Sequence, residues 1–103
     1  SKHYMAVDDS NGEIVGVIKL MEREAGVGWF SHMAVSKKYQ NSGIGKKLLA
    51  FVEDESRREG YAILGCLSRL TATEYFTKAG YIINGLPSHY FGTTQVVWME
   101  KKL

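Results

Sequence analysis

The sequence predicts an α/β fold on a mixed, mostly antiparallel sheet with a parallel βαβ step at its centre, in the order β-β-β-α-β-α-β-β. Three observations predict it. The first third of the chain alternates short β-branched runs with glycine-bearing turns. From Ile44 the apolar residues switch to helical spacing. A continuous apolar run, 62–67, follows that helix directly, as the second strand of a crossover unit does.

Tyr4-Met5-Ala6-Val7 reads as the first strand. Asn11-Gly12 then marks a hairpin, because both residue types accept positive φ. The return strand, 14–21, is interrupted by Gly16, a sign of close approach by another element. A third strand, 29–35, follows the polar turn 22–28. Ile44, Leu48, Leu49 and Val52 form the apolar stripe of a helix running from about Ser42 or Gly43 to Glu59, with Gly60 as its stop. The run 62–67 is apolar on both faces and reads as a central strand covered on both sides. A second helix is expected over 71–79, with Thr71 as N-cap and Gly80 as stop. Tyr81-Ile82-Ile83 and Val96-Val97-Trp98-Met99 read as the last strands, and Pro87 and Gly92 punctuate a long turn between them.

At 103 residues the chain fits a single domain, 1–103. It is 45% hydrophobic, enough for a core. Its net charge of +2 is too mild to argue for nucleic acid. The lone Cys66 excludes an internal disulfide. No apolar run is long enough to span a bilayer and no signal-like segment opens the chain, so a cytoplasmic protein without membrane partners is the expectation. The three histidines are scattered and no Cys/His cluster occurs, so no metal is expected.

The segment Gln40-Asn41-Ser42-Gly43-Ile44-Gly45 carries the chemistry. It lies between a strand and the start of an amphipathic helix. The first amides of a helix lack intrahelical partners and point outward at the positive end of the dipole, so an anion is stabilised there. Glycines let a phosphate approach the backbone, and Lys46 and Lys47 add positive charge. A P-loop is excluded because Gln40 and Lys47 stand where it needs Gly and Ser/Thr. A dinucleotide fingerprint is excluded because Leu48 stands where it needs its third glycine.

What remains is Gln/Arg-x-x-Gly-x-Gly/Ala. With His32-Met33-Ala34-Val35 and Tyr39 before it and Leu48-Leu49 after it, the segment resembles the coenzyme A motif of the GNAT acetyltransferase superfamily. Ser68-Arg69-Leu70-Thr71-Ala72 and the stretch from Phe76 to Tyr81 resemble that family's second motif, and 98–103 its usual ending. The resemblance implies a GNAT-like fold and an acyl-CoA-dependent N-acetyltransferase that moves an acetyl group from acetyl-CoA to an amine by direct attack. It implies coenzyme A contacts at Met33, Ala34, Val35, Gln40, Asn41, Ser42, Gly43, Ile44, Gly45 and Lys46. The diphosphate would lie on the amides around Gly43 and Gly45, and the pantetheine arm along Met33 and Val35, as an added strand does.

The sequence departs from the family at three places. Phe76 stands where a tyrosine often serves as general acid, and the adjacent Tyr75 points about 100° away on a helix. Leu67 stands where an asparagine is common. The family's usual N-terminal strand and two helices have no counterpart before Tyr4. That last departure implies either an acceptor side that is open or completed by a second subunit, with an exposed sheet edge suited to a homodimer, or a sequence that is an N-terminally truncated part of a longer protein. The alternative function is a coenzyme A-binding regulatory or structural module without turnover. The acceptor, a small-molecule or peptide amine, is not named by the sequence.

Several residues carry two readings. His32 is either the base that deprotonates the amine or a structural residue. Tyr75 is a substitute acid or a surface aromatic. Glu22 and Glu24 act through water or are solvated turn charges, and His89 lines an acceptor pocket or merely a turn. Arg69 and Lys78 meet the cofactor's phosphate or only water. Cys66 reads as buried core, as do Trp29, Phe51 and Trp98.

Overall fold

The structure is a computed structural model that describes residues 2–40, 42–90, 92 and 94–103. Strands β1 (Lys2–Asp8), β2 (Glu13–Glu24) and β3 (Val27–Val35) form an antiparallel meander. Helix α1 (Ile44–Arg58) crosses over to β4 (Ile63–Arg69), which pairs in parallel with β3. A 3-10 turn, Leu70–Ala72, leads into α2 (Thr73–Lys78). Strands β5 (Ile82–Ile83), β6 (Ser88–Tyr90) and β7 (Thr94–Lys102) complete a seven-stranded sheet of order β1-β2-β3-β4-β7-β5, with β6 also on β7.

The expected mixed sheet with a central parallel pair is present, and four details differ. The long turn around Pro87 holds the short strand β6, too brief to show a period of two. Helix α2 begins later than expected: Ala72 occupies its N-cap, and Thr71 belongs to the 3-10 turn. At the first hairpin Gly12 has positive φ (73°) and Asn11 does not; the Asp8 carbonyl accepts from both amides, at 3.3 and 2.7 Å. Strand β4 is covered by helices on one face only; on the other, Trp98 lies against Gly65 and Leu67 is exposed.

Both helices lie on the same face. Phe30, Leu49, Val52, Leu64, Tyr81 and Met99 join in one core there, with Phe76 of α2 packed against it. Gly16 lets α1 dock closely on β2: a Cβ there would stand 2.7 Å from Leu48 Cδ1 and would make that side chain shift. Phe51, Trp29 and Trp98 are not deep core. Phe51 is 45% exposed, edge-on to Tyr4 at 5.1 Å, and both tryptophans are partly buried.

One buried polar cluster ties the elements together. The Tyr81 hydroxyl donates to Glu53 Oε2 of α1 at 2.7 Å. Lys101 Nζ of β7 donates to the same oxygen at 3.2 Å and to the Ala79 carbonyl at 3.0 Å. Burial, reinforced by the Glu53 carboxylate, pushes the Tyr81 phenol well above its ordinary range. Tyr81→Phe is expected to cost about 1.5–3 kcal/mol, the worth of a buried hydrogen bond to a charged acceptor. Urea unfolding checks this, and an unchanged midpoint would show that Lys101 alone satisfies Glu53.

Candidate active site: a cleft where the central strands part

Strands β3 and β4 pair only at Val27↔Ile63, Gly28↔Leu64 and Trp29↔Gly65. Beyond that point β3 continues to Val35 along β2, while β4 continues to Arg69 along β7. The sheet is therefore open between them. The local cause lies in β3. Between Val17↔Ala34 and Lys19↔Ser31 one extra residue is accommodated, and His32 takes φ 54°, in the left-handed region. A bulge of this kind bends its strand and increases the twist. A non-glycine residue held there stores strain that the surrounding pairing must offset.

On the helical face the opening leads into a cleft of ≈ 450 Å³. It is lined by Met33, Ala34 and Val35 of β3, by Tyr39, Gln40, Gly43, Gly45 and Lys46 of the following loop and helix start, and by Ala72, Tyr75 and Phe76. Gly43 is the N-cap of α1 with φ 86° and ψ 2°, a conformation that glycine adopts without steric penalty. A Cβ at Gly43 would have no atom within 4 Å, so there is room for a ligand against this backbone. The first bond of the helix runs from Lys47 N to Gly43 O at 3.0 Å. The amides of Ile44, Gly45 and Lys46 therefore precede the ladder and carry the positive end of the dipole. The first turn holds no acidic residue, so nothing in α1 itself neutralises that end.

Gln40 has a structural task. Its Nε2 donates to the Val35 carbonyl at 3.2 Å and pins the loop to the end of β3. The Ser42 hydroxyl donates back to the Tyr39 carbonyl, closing the turn before the helix. The Tyr39 hydroxyl donates to Asp8 Oδ2 at 2.7 Å. Hydrogen bonds from Ser10 and Tyr39 hold the Asp8 carboxyl down at about 2.

The sequence model of the acetyltransferase (GNAT) domain matches residues 1–103. The chain belongs to the GNAT acetyltransferase family.

Solved structures agree on the GNAT fold. A Lactobacillus plantarum protein assigned as an N-acetyltransferase superposes with a TM-score of 0.90 at 23% identity, over 98% of this chain and 68% of that one. A GNAT family acetyltransferase from Elizabethkingia anophelis, with acetyl-CoA bound, gives 0.83 at 23% identity, over 98% and 75%. N-acetylglutamate synthase from Neisseria gonorrhoeae, complexed with coenzyme A and N-acetyl-glutamate, gives 0.83 at 25% identity, over 98% and 25%.

The structure sorts the expected GNAT site residues. Met33, Ala34, Val35, Gln40, Gly43, Gly45, Lys46 and Tyr75 meet in the cleft. Asn41 lies outside the described residues. Ser42 does not line the cleft, and Ile44 turns toward a neighbouring groove beneath β1. His32 is not in the cleft either. Its Nδ1 sits 2.8 Å from Ser31 Oγ, and its ring lines a small recess with His3, Met5 and Lys19 on the helix-free face. Glu22 and Glu24 stand at the closed end of the β2–β3 pair, away from the opening. His89 is exposed in β6 with Nε2 3.5 Å from Gln95 Nε2. Tyr39, Ala72 and Phe76 also line the cleft; the sequence signalled them as members of the two motifs, with Phe76 at the general-acid position, but not as cofactor contacts.

Tyr75 and Phe76 divide the work of α2. Phe76 packs between Phe30 and Tyr81, at 5.9 and 6.1 Å between ring centroids. Tyr75 reaches across the cleft: a Cβ built at Gly45 would lie 3.2 Å from its hydroxyl.

Cys66 faces the core on β4, and burial pushes its thiol up to about 12. It is a packing residue and not a nucleophile. At pH 8 an aromatic disulfide reagent is expected to label it roughly a hundredfold or more slower in the native chain than in urea, because both thiolate and access are lacking. Equal rates in the two states would contradict its burial.

Proposed function

We propose that this domain transfers an acetyl group from acetyl-CoA to an amine by direct attack. The single observation that carries the reading is the junction of the parted β3 and β4 with the bare start of α1 in one cleft. Acetyl-CoA supplies an activated acyl group as a thioester. The amides of Ile44, Gly45 and Lys46 bind its diphosphate, with Gly43 giving the backbone access. The main chain of Met33, Ala34 and Val35, unpaired on the side facing β4, binds the pantetheine amides as a sheet edge binds a strand. A backbone N–H of the same strand polarises the thioester carbonyl. The Tyr75 hydroxyl, at the cleft wall beside Gly45, holds the proton that the departing sulfur takes up. His32 accepts the amine's proton through water from the helix-free side.

The rest of the reading is coarser. In this reading the domain spans residues 1–103 and works in the cytoplasm without metal or nucleic acid. Among the described residues β1 is the outermost strand on its side of the sheet, and a homodimer formed along it belongs to this reading. A binding module without turnover is the second reading, favoured by the absence of a hydroxyl at Phe76.

Acetyl-CoA at a hundredfold excess over its Kd is expected to stabilise the chain by about 2.7 kcal/mol, or roughly 10 °C in Tm. A flat thermal profile would end the reading. Gly45→Val fills the cleft wall and is expected to weaken coenzyme A binding at least tenfold in calorimetry, with the circular dichroism spectrum preserved; about 1.4 kcal/mol is the corresponding loss. Tyr75→Phe is expected to lower kcat by roughly a hundredfold while the Kd for acetyl-CoA stays within twofold. If wild-type chain binds acetyl-CoA yet releases no thiol with any amine, the module reading replaces the enzyme.

A further inference from the structure

The helix-free face of the sheet carries a feature that donor binding does not use. Trp98 lies flat against Gly65, the last residue of β4 paired to β3, where any Cβ would collide with the indole. The Arg23 guanidinium is stacked on this indole, with Cζ 4.0 Å from the ring centroid. Trp98 Nε1 is engaged with Glu100 Oε1 at 2.7 Å, so the ring is fixed in its plane. Arg23 is thus held, at little further cost in side-chain entropy, at the vertex where the two strands begin to part. It forms no ion pair among the described residues.

Basic residues outnumber acidic ones around it. Strand alternation places Lys19 on this face with Arg23, and Arg69 and Lys102 on it with Trp98. Glu100, already bonded to Trp98, and Glu24 at the β2–β3 turn are the acidic residues nearby. Leu67, exposed, forms an apolar floor between Arg23 and Arg69. With the donor in the cleft on the helical face, this other face is left for the attacking amine. A molecule anchored on Arg23 extends along Leu67 directly into the gap.

We infer that the acceptor is an amine that carries a carboxylate, and that Arg23, stacked on Trp98, binds this carboxylate and sets acceptor specificity. The inference rests on the acetyl-transfer reading. A guanidinium suits this task because its planar fork meets a carboxylate through two parallel N–H donors while its face remains on the indole.

The test compares three acceptors. L-methionine carries an α-carboxylate, L-glutamic acid α-amide carries only a side-chain carboxylate, and L-methioninamide carries none. The variants are Arg23→Met, which keeps an apolar stem over Trp98, and Arg23→Lys, which keeps the charge. The readout is the ratio of kcat/KM for each carboxylate acceptor to that for L-methioninamide. Comparing this ratio between variants cancels the intrinsic reactivity of each amine. Arg23→Met is expected to lower the ratio at least tenfold for one of the two carboxylates, which identifies its source, and Arg23→Lys is expected to recover most of it. A ratio that survives in Arg23→Met overturns the inference and leaves Arg23 as a cover for Trp98. Should no amine turn over although acetyl-CoA binds, the transfer reading falls separately. Calorimetry of L-methionine, L-glutamic acid α-amide and L-methioninamide against the chain, with and without coenzyme A, then decides this inference by itself. Equal affinity for all three would overturn it, as expected if a polypeptide segment covers this face instead.

Discussion

The structure depends on one interruption: β3 and β4 stop pairing after Trp29 and Gly65. A central parallel pair would ordinarily run the length of its strands, since each unpaired backbone group near a core must find another partner. Here β3 stays with β2 and β4 stays with β7, so each strand keeps one full ladder and gives up the other. The bulge at His32 makes this compatible with the chain, because an extra residue bends β3 toward β2 without breaking that ladder. Everything in the cleft follows. The vacated edge of β3 faces the gap, and the loop after Val35 delivers the start of α1 to its mouth.

A gap in the middle of a sheet needs rigid banks. Helix α1 supplies one by docking on β2 through Gly16 and Leu48, a contact that a Cβ at position 16 would force to shift. The Glu53, Tyr81 and Lys101 cluster supplies the other by binding α1 to the exit of α2 and to β7. Lys101 lies opposite Leu64, at the level where β3 and β4 still pair, so the cluster braces the closed end from which the gap opens. A buried carboxylate is costly unless its lone pairs are engaged, and this one has a phenol and an ammonium within hydrogen-bond reach. The elements that shape the cleft are therefore fixed by contacts outside it.

Much of this was legible in the sequence. The helix stripe from Ile44 to Val52, Gly16 as a point of close approach, and the Gln40–Gly45 segment all follow from local rules about period, Cβ volume and helix termini. Other features depend on partners far along the chain. Strand β6 is too short to carry a period of its own and exists because β7 offers a free edge. The bulge at His32 is decided by the register against β2, and a histidine gives only a weak local signal for a left-handed φ. Phe51 and the two tryptophans were read as core from their size, yet their burial is set by which face the helices cover. The same ignorance of faces made β4 look covered on both sides, and it hid the Arg23 stack, whose members are 75 residues apart and lie on different strands.

The pair Tyr75 and Phe76 shows how packing can decide chemistry. Neighbours on a helix diverge by about 100°, so only one of them can enter the core. Phe76 does, because Phe30 and Tyr81 offer it aromatic edges at 5.9 and 6.1 Å. Its commitment rotates α2 so that Tyr75 faces Gly45 across the cleft. With phenylalanine in that place the core closes without a polar group to satisfy, and the phenol one residue earlier stands at the wall of the cleft. The phenol at the cleft wall is therefore carried by Tyr75, while its neighbour Phe76 serves the core packing.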